Sequence, residues 1–214
     1  MKEMRLLAGV VLFGSVWGLM ECVIGDYLHN AGLFAGAIMT GFIAFGLMAI
    51  SRRIYGIRGM QLGMGLVAGL LKYIHPVGGC MLCSAIAIAF EGMIFEMIWY
   101  SPRMDINSMK RIDVKLSMGI ISGYAIYAVG YIITQILTPV AASAPFYLSD
   151  LLNVMPKILS TSIIAGLAGG LTIMAVLSVP HDLASRITGA KKEIYYPAVS
   201  LISVICWIGI VILS

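Results

Sequence analysis

Charged residues are scarce in this chain. Of its 214 residues, 11% are charged and 60% are hydrophobic, and the mean hydropathy is +0.98. A soluble domain of this length needs far more charge on its surface, so the composition excludes a soluble globular protein. The apolar surplus fits a chain that is solvated by lipid, and a bilayer is the first partner we expect. The formal net charge of +4 comes from basic loops and implies no nucleic-acid partner.

Long polar connections are also missing, so no loop can hold a soluble module. A helix of about 20 apolar residues spans the hydrocarbon, and seven stretches fit this description, the third being short. We therefore predict an all-α fold, a polytopic transmembrane bundle of six to seven helices that forms one integral membrane domain over residues 1–214. The stretches are approximately residues 6–24, 31–50, 60–73, 81–100, 116–140, 151–179 and 195–213.

Every second gap between these stretches lacks lysine and arginine. Cationic loops remain on the cytoplasmic side of a membrane. The pattern therefore predicts a multi-pass protein of the cell membrane with a cytoplasmic N-terminus and an outer C-terminus. A cleaved signal peptide is not expected, because Glu21, Cys22 and Asp26 occupy the region of its cleavage site. The basic clusters are Lys2/Arg5, Arg52/Arg53/Arg58, Arg103/Lys110/Arg111/Lys115 and Arg186/Lys191/Lys192.

Signatures of known chemistry are absent from the sequence. It has no Walker loop, no HExxH and no G-x-S-x-G, and we predict that the protein is not an enzyme. No cofactor can be named from the sequence. It also shows no convincing internal repeat, so the inverted-repeat architecture of many secondary transporters is not indicated.

Five ionisable side chains lie within the predicted spans, where such groups are costly and usually face the bundle interior or a water-filled cavity. With the predicted topology, three of them share the outer third with His75 and Asp26. One interpretation is salt bridges with interfacial snorkelling. The other is a polar pocket that opens outward, where mixed charges would suit a zwitterionic or carboxylate-bearing small molecule. We take as candidate ligand-binding residues Glu21, Lys72, Glu91 and Lys157; the fifth side chain is Glu96.

The two glutamates of the fourth stretch have different surroundings. Glu91 falls near the middle of the span and shares a helix face with Ser84 and Ala87, so it is the most deeply placed ionisable residue. Glu96 lies one turn above Trp99 and can snorkel towards the cytoplasmic interface. It also continues a line of small residues, which predicts that it packs against a neighbouring helix. That line is Ala85, Ala89 and Gly92.

The most specific local sequence is a Cys-x-x-Cys pair that follows a histidine in the gap between the third and fourth stretches. Cys80, Cys83 and His75 allow three interpretations. They can form a metal or haem site, because thiolates and imidazole suit Zn, Cu(I) or Fe. They can include a redox pair of thiols. The cysteines can also be two small apolar residues at a helix start, and a single Cys-x-x-Cys lacks the second half of a zinc signature.

Glycines recur four residues apart within the stretches. Small residues at this spacing let helix backbones approach closely in lipid, so internal packing of the bundle is the first interpretation. A docking face for another membrane subunit is the second, and the first helix is the candidate for it. The pairs are Gly14/Gly18, Gly32/Gly36, Gly65/Gly69 and Gly119/Gly123.

Three segments resemble the substrate-binding S components of energy-coupling factor (ECF) transporters. They are residues 13–21 (FGSVWGLME), residues 35–41 (AGAIMTG), and Pro76-x-Gly-Gly followed by residues 85–91 (AIAIAFE). The resemblance covers roughly the first 100 residues and part of the sixth stretch. It implies a vitamin- or metal-capturing membrane protein with an outward-facing site. It also implies a membrane coupling subunit and two cytoplasmic ATPases as partners, with Gly14 and Gly18 at the docking face.

The functional expectation is therefore a small-molecule-binding membrane transport component. The first alternative is a redox or metal- or haem-binding membrane protein that uses His75, Cys80 and Cys83. The second alternative is a structural subunit of a larger membrane complex, which would bind no ligand.

Overall fold

The computed structural model describes residues 2–75, 80–100, 111–179, 187, 189 and 191–213. Every regular element in these ranges is helical, which confirms the predicted all-α bundle. The basic residues Arg103, Lys110 and Arg186, and residues 76–79 of the family resemblance, lie outside them.

Seven helices of 15 residues or more occupy the described ranges. Six are long and apolar enough to cross a membrane, and the third is shorter. The chain is thus a multi-pass helical membrane protein. Helix α1 comprises Lys2–Met20, the π-helical segment Glu21–Gly25 and Asp26–Asn30; α2 comprises Ala35–Ile38, the π-helical segment Met39–Ala44 and Phe45–Tyr55; the others are α3 (Met60–Ile74), α4 (Met81–Trp99), α5 (Ile112–Ala141), α6 (Leu148–Ser178) and α7 (Lys192–Leu213).

Six helices form a ring, and α7 packs on its outside. Helices α1, α3, α4, α5 and α6 follow one another around the ring. Helix α2 closes it between α6 and α1 and also contacts α3, α4 and α5. Helix α7 lies against α1, where Trp207 Nε1 donates to Ser15 Oγ at 2.8 Å. The Tyr55 and Tyr195 hydroxyls, 2.7 Å apart, join α2 to α7. Because sequential helices run in opposite directions, the end of α1 at Asn30 lies beside the start of α2 and the end of α3.

Glycines bring the helices of the ring close together. A Cβ added to Gly123 of α5 would lie 2.5 Å from the Ala165 carbonyl oxygen of α6. On α1, a Cβ at Gly14 would lie 2.6 Å from Val67 Cβ, and Gly18 meets α3 in the same way. The packing interpretation is confirmed for the pairs Gly14/Gly18, Gly65/Gly69 and Gly119/Gly123. It is wrong for Gly32, which lies in the turn before α2 with positive φ, where an added Cβ would meet no described atom within 4 Å. Since α3 covers Gly14 and Gly18, they offer no surface to a coupling subunit.

One end of the bundle gathers residues of the basic clusters. Arg53 donates to the carbonyl oxygens of Val176 and Val179, where α6 ends. Arg52 stacks over the Tyr100 ring, 3.5 Å from its centroid. This is the end that the charge pattern assigns to the cytoplasm, and we call it the inner end. The opposite end, at the junctions of α1 with α2, α3 with α4 and α5 with α6, is the outer end.

Aromatic packing fills the inner half of the ring. Phe45 of α2 lies edge-on to Phe95 of α4, with 5.6 Å between centroids, and Phe95 stacks on Trp99. These three side chains and Trp17 are fully buried. The inner half is thus packed mainly by apolar side chains, with the buried Gln61 and Ser51 hydrogen-bonded to each other there. The buried acidic and basic side chains among the described residues lie in the outer half.

Helix α3 is short, and Glu96 of α4 caps its first turn. Its 15 residues give about 22 Å at 1.5 Å per residue, less than the roughly 30 Å of hydrocarbon. The Glu96 carboxylate accepts hydrogen bonds from the main-chain N–H groups of Gly59 and Leu62 at the start of α3. The predicted packing of the Glu96 line against a neighbour is confirmed, because Gly65 and Gly69 of α3 contact this face of α4.

Candidate ligand-binding cavity

A polar cavity of about 240 Å³ lies between the outer halves of five helices, α1 to α5. It brings together three of the four predicted ligand residues, Glu21 from α1, Lys72 from α3 and Glu91 from α4. Asp26 of α1 and Thr40 of α2 complete its polar wall. The fourth predicted residue, Lys157, is not part of this wall.

Both π-helical segments border the cavity. The first contributes Glu21 and Gly25 to the lining, and the second contributes Thr40. A π-helical turn inserts one extra residue into a helix and often occurs at functional sites. The inserted residues change which side chains face inward, so Glu21 and Asp26, five residues apart, line the same cavity.

Glu91 is the deepest acidic group of the site. Its side chain is buried, with 4% of the residue exposed. Thr40 Oγ1 donates to Glu91 Oε1 at 2.6 Å, whereas Glu91 Oε2 is buried and has no hydrogen-bond partner among the described residues. Ser84 and Ala87 line the cavity with it, so the predicted helix face is confirmed. One carboxylate oxygen is therefore left for another group.

Lys72 is held by acceptors of α1. Its Nζ lies 2.5 Å from Asp26 Oδ1 and donates to the main-chain oxygen of Glu21 at 3.3 Å. His75 Nε2 lies 3.4 Å from Asp26 Oδ2. The salt-bridge interpretation is therefore confirmed for Lys72, with Asp26 as its partner. This buried group ties the outer end of α3 to α1.

Glu21 is oriented by its own helix. Trp17 Nε1, one turn earlier, donates to Glu21 Oε1 at 3.1 Å. A Cβ added to Gly25 would lie 3.2 Å from Glu21 Oε2. The glycine therefore leaves room for the carboxylate beside the cavity.

Lys157 stands in a separate outer depression of about 510 Å³. It is exposed at the outer part of α6. The depression and the cavity adjoin one another, because they share the lining residues His29, Ala35, Gly36 and Tyr131. The structure thus does not place Lys157 with Glu21, Lys72 and Glu91.

Cys80 and Cys83 form a disulfide at the start of α4 and line the cavity. Cys80 is the N-cap residue, and its Sγ accepts the N–H of Cys83. His75 turns instead towards Asp26. Within the described ranges, no group of three or more His, Cys, Asp or Glu residues could hold a metal ion. The metal interpretation of His75, Cys80 and Cys83 stays a prediction, and it requires the reduced pair.

Sequence reasoning placed Asp26 in the outer third but did not select it for the site, and it missed Thr40 and Tyr131. Asp26 followed the predicted end of the first span, so it was not recognised as part of a transmembrane helix. Thr40 could have been noticed as a polar residue within an apolar stretch. For Tyr131 the sequence carries no comparable signal, because tyrosine is common in such helices.

No family model, curated protein or solved structure matches this chain at a significant level. The fold and the cavity therefore define only a broad class. The protein is a multi-pass helical membrane protein with a polar cavity in the outer half of the bundle. The function has to be inferred from the geometry of that cavity.

Proposed function

We propose that this protein is a small-molecule-binding membrane transport component and that the outer cavity is its ligand site. The observation that carries the proposal is that Glu91 lines this polar cavity while its buried Oε2 atom has no hydrogen-bond partner among the described residues. Buried polar atoms normally have partners, and an orphan at a cavity indicates a missing ligand or water. A buried carboxylate in a membrane span is by default a functional group.

The position of the cavity supports capture from the outer side. Its lining comes from the outer parts of α1 to α5, and the inner half of the ring is filled by aromatic side chains. A ligand would thus enter from outside and stop at Glu91. Further movement inward would need a rearrangement of the bundle driven by another source of energy.

The resemblance to ECF S components fits this need for a separate source of energy. In such a system a coupling subunit and cytoplasmic ATPases would supply the energy, and this chain would have no hydrolytic activity of its own. The docking surface proposed for Gly14 and Gly18 has to be replaced, because both glycines pack against α3. The cell membrane is the proposed location.

Native mass spectrometry of gently purified protein tests the proposal. We expect the wild-type chain to carry a bound small molecule and Glu91→Gln to lose it. Glu193→Gln makes the same charge change at an exposed position and should retain it. A wild-type protein without any adduct, or an identical adduct in Glu91→Gln, would contradict the proposal.

A thiol–disulfide function is the second candidate, and the Cys80–Cys83 disulfide at the cavity favours it. A partner dithiol would attack one sulfur and form a mixed disulfide. Its second thiol would then release the Cys80–Cys83 pair as two thiols, while the partner becomes oxidised. A pair that resists a graded dithiol–disulfide redox buffer, read by thiol alkylation and mass, would exclude this candidate.

A further inference from the structure

We infer that the ligand of the cavity is a compact organic cation, such as a primary amine with a short apolar chain. This inference rests on the proposed function and names the ligand class for the same site. It replaces the zwitterionic or carboxylate-bearing ligand that the mixed charges of the sequence suggested.

The charge balance of the cavity wall is acidic. Three carboxylates, those of Glu21, Asp26 and Glu91, line it against the single ammonium group of Lys72. Three minus one leaves two formal negative charges when all three carboxyl groups are ionised and His29 is neutral. In surroundings of low dielectric, unbalanced charges of one sign are costly. A cation would offset this cost, whereas an anion would add to it.

Lys72 is a weak receptor for a ligand carboxylate, because Asp26 already offsets its charge and two of its three N–H donors are in use. Its Nζ is already within 2.5 Å of Asp26 Oδ1 and also donates to the Glu21 carbonyl oxygen. The pair is buried, with 6% and 12% of the two side chains exposed. Lys72, a candidate receptor for an anionic ligand by sequence, thus links α3 to α1 through a salt bridge.

The acceptors that remain are carboxylate oxygens. Glu91 Oε2 lacks a partner within the part of the chain that the structure describes. Glu21 also lines the cavity, and its Oε2 lies beside Gly25, which has no side chain to crowd it. An ammonium group has three donors and no acceptor, so it complements such a wall. Charge-assisted hydrogen bonds of this kind are among the strongest in proteins.

The remaining wall limits the size and shape of the cation. At about 240 Å³, the cavity is smaller than the roughly 300–1,000 Å³ of sites for drug-sized ligands. Ala87 and Ile88 give it an apolar side, and Tyr131 adds an aromatic ring. An aromatic ring near a cation adds further attraction. A bare metal ion is a poorer fit, because the described residues provide no cluster of three ligating groups.

The test uses three four-carbon probes that differ in their ionic end groups: butylamine, butyrate and 4-aminobutyrate. Full-length protein in detergent is heated with each probe at constant pH and ionic strength. A ligand of the native state stabilises it by RT ln(1 + L/Kd), where L is the free ligand concentration, so the unfolding temperature rises with the logarithm of ligand concentration above Kd. We expect butylamine to produce this dependence, and butyrate to have no effect.

Variants connect the response to the cavity. Glu91→Gln should weaken the apparent Kd for butylamine by about tenfold or more, as expected for a lost charge-assisted hydrogen bond. Glu193→Gln should respond as the wild type does. If Glu91→Gln does not fold, Gly25→Ala provides a second probe, because its methyl group crowds Glu21 Oε2 and should also weaken the response.

The outcomes separate the ligand class from the proposed function. Stabilisation by butyrate or 4-aminobutyrate without stabilisation by butylamine would overturn the cationic class and leave a ligand site in place. No response to any probe, with an adduct still present in native mass spectrometry, would also overturn it. No response and no adduct would overturn both proposals.

Discussion

The pair of Lys72 and Asp26 links α3 to α1 through two nearly buried side chains. Asp26→Asn removes the charged partner of the buried Lys72 ammonium group. Breaking such a pair on one side typically costs about 3–5 kcal/mol. We therefore predict a clearly lower unfolding temperature for Asp26→Asn in detergent, measured by differential scanning fluorimetry.

The exposed pair of Arg111 and Asp113 is the matched control for this prediction. Its side chains are 78% and 62% exposed, although its N–O distance of 2.6 Å is similar. Asp113→Asn should leave the unfolding temperature unchanged, since exposed pairs contribute little. In the double variant Asp26→Asn/Lys72→Met, part of the lost stability should return. Equal effects of Asp26→Asn and Asp113→Asn would contradict the role of the buried pair.

Gly123 sets the distance between α5 and α6. A Cβ at this position would meet the Ala165 carbonyl oxygen at 2.5 Å, and main-chain atoms cannot move aside as a side chain does. We predict that Gly123→Ala destabilises the bundle by about 1–3 kcal/mol, the usual cost of overpacking. Gly209→Ala is the control, because its nearest neighbour is the flexible end of Leu19 at 3.2 Å. Both are measured by thermal unfolding, and equal midpoints would exclude the close approach as the cause.

For the individual site residues, the sequence predicts the depth in the membrane but not the role. Glu21, Lys72 and Glu91 stand out because ionisable groups are rare in apolar spans. Their roles differ in the structure, since Lys72 already has a partner and Glu91 keeps one oxygen without a described partner. Such differences depend on contacts between helices, such as Thr40 with Glu91, which no pattern within one helix reveals.

At the scale of helices, the short α3 depends on α4 for its first turn. Gly59, its N-cap residue, has no side chain to cap the helix, and Glu96 supplies the acceptor instead. Loss of a cap typically costs about 0.5–2 kcal/mol. We predict that Glu96→Ala lowers the unfolding temperature and that Glu96→Gln, which keeps one acceptor oxygen, lowers it less. Glu193→Ala removes an exposed carboxylate and should change it little; an equal loss in Glu96→Ala and Glu193→Ala would contradict the cap.

Hydropathy predicts which segments are helical, but it does not predict the π-helical turns. The predicted spans 60–73 and 81–100 agree within one residue with Met60–Ile74 and Met81–Trp99. Hydropathy predicts the first span at residues 6–24, but α1 continues through Glu21–Gly25 to Asn30. Polar residues at the outer end resembled a loop because their partners lie on other helices. The π-helical segments carry no sequence signal of their own, although they position the cavity.

At the scale of the whole molecule, the two ends of the bundle differ in chemistry. The inner end carries arginines that cap helices and stack on Tyr100, next to an aromatic core. The outer half carries acidic groups around a cavity. The alternation of basic loops in the sequence anticipated this division. It could not show that Lys72 and Lys157 stand in separate surroundings, because that depends on the position of α6 in the ring.

The direction of the bundle in the membrane decides the side from which a ligand enters. Because the basic residues at the inner end resist translocation, the loop at Ala144 should face outside and the start of α7 at Glu193 should face the cytoplasm. Both positions are exposed. We predict that a membrane-impermeant maleimide labels Ala144→Cys in intact cells and labels Glu193→Cys only after permeabilisation. Background labelling should be low, since Cys80 and Cys83 form a disulfide and Cys22 and Cys206 are buried. Labelling of Glu193→Cys but not Ala144→Cys in intact cells would place the acidic cavity on the cytoplasmic side, and uptake from outside would then no longer be tenable.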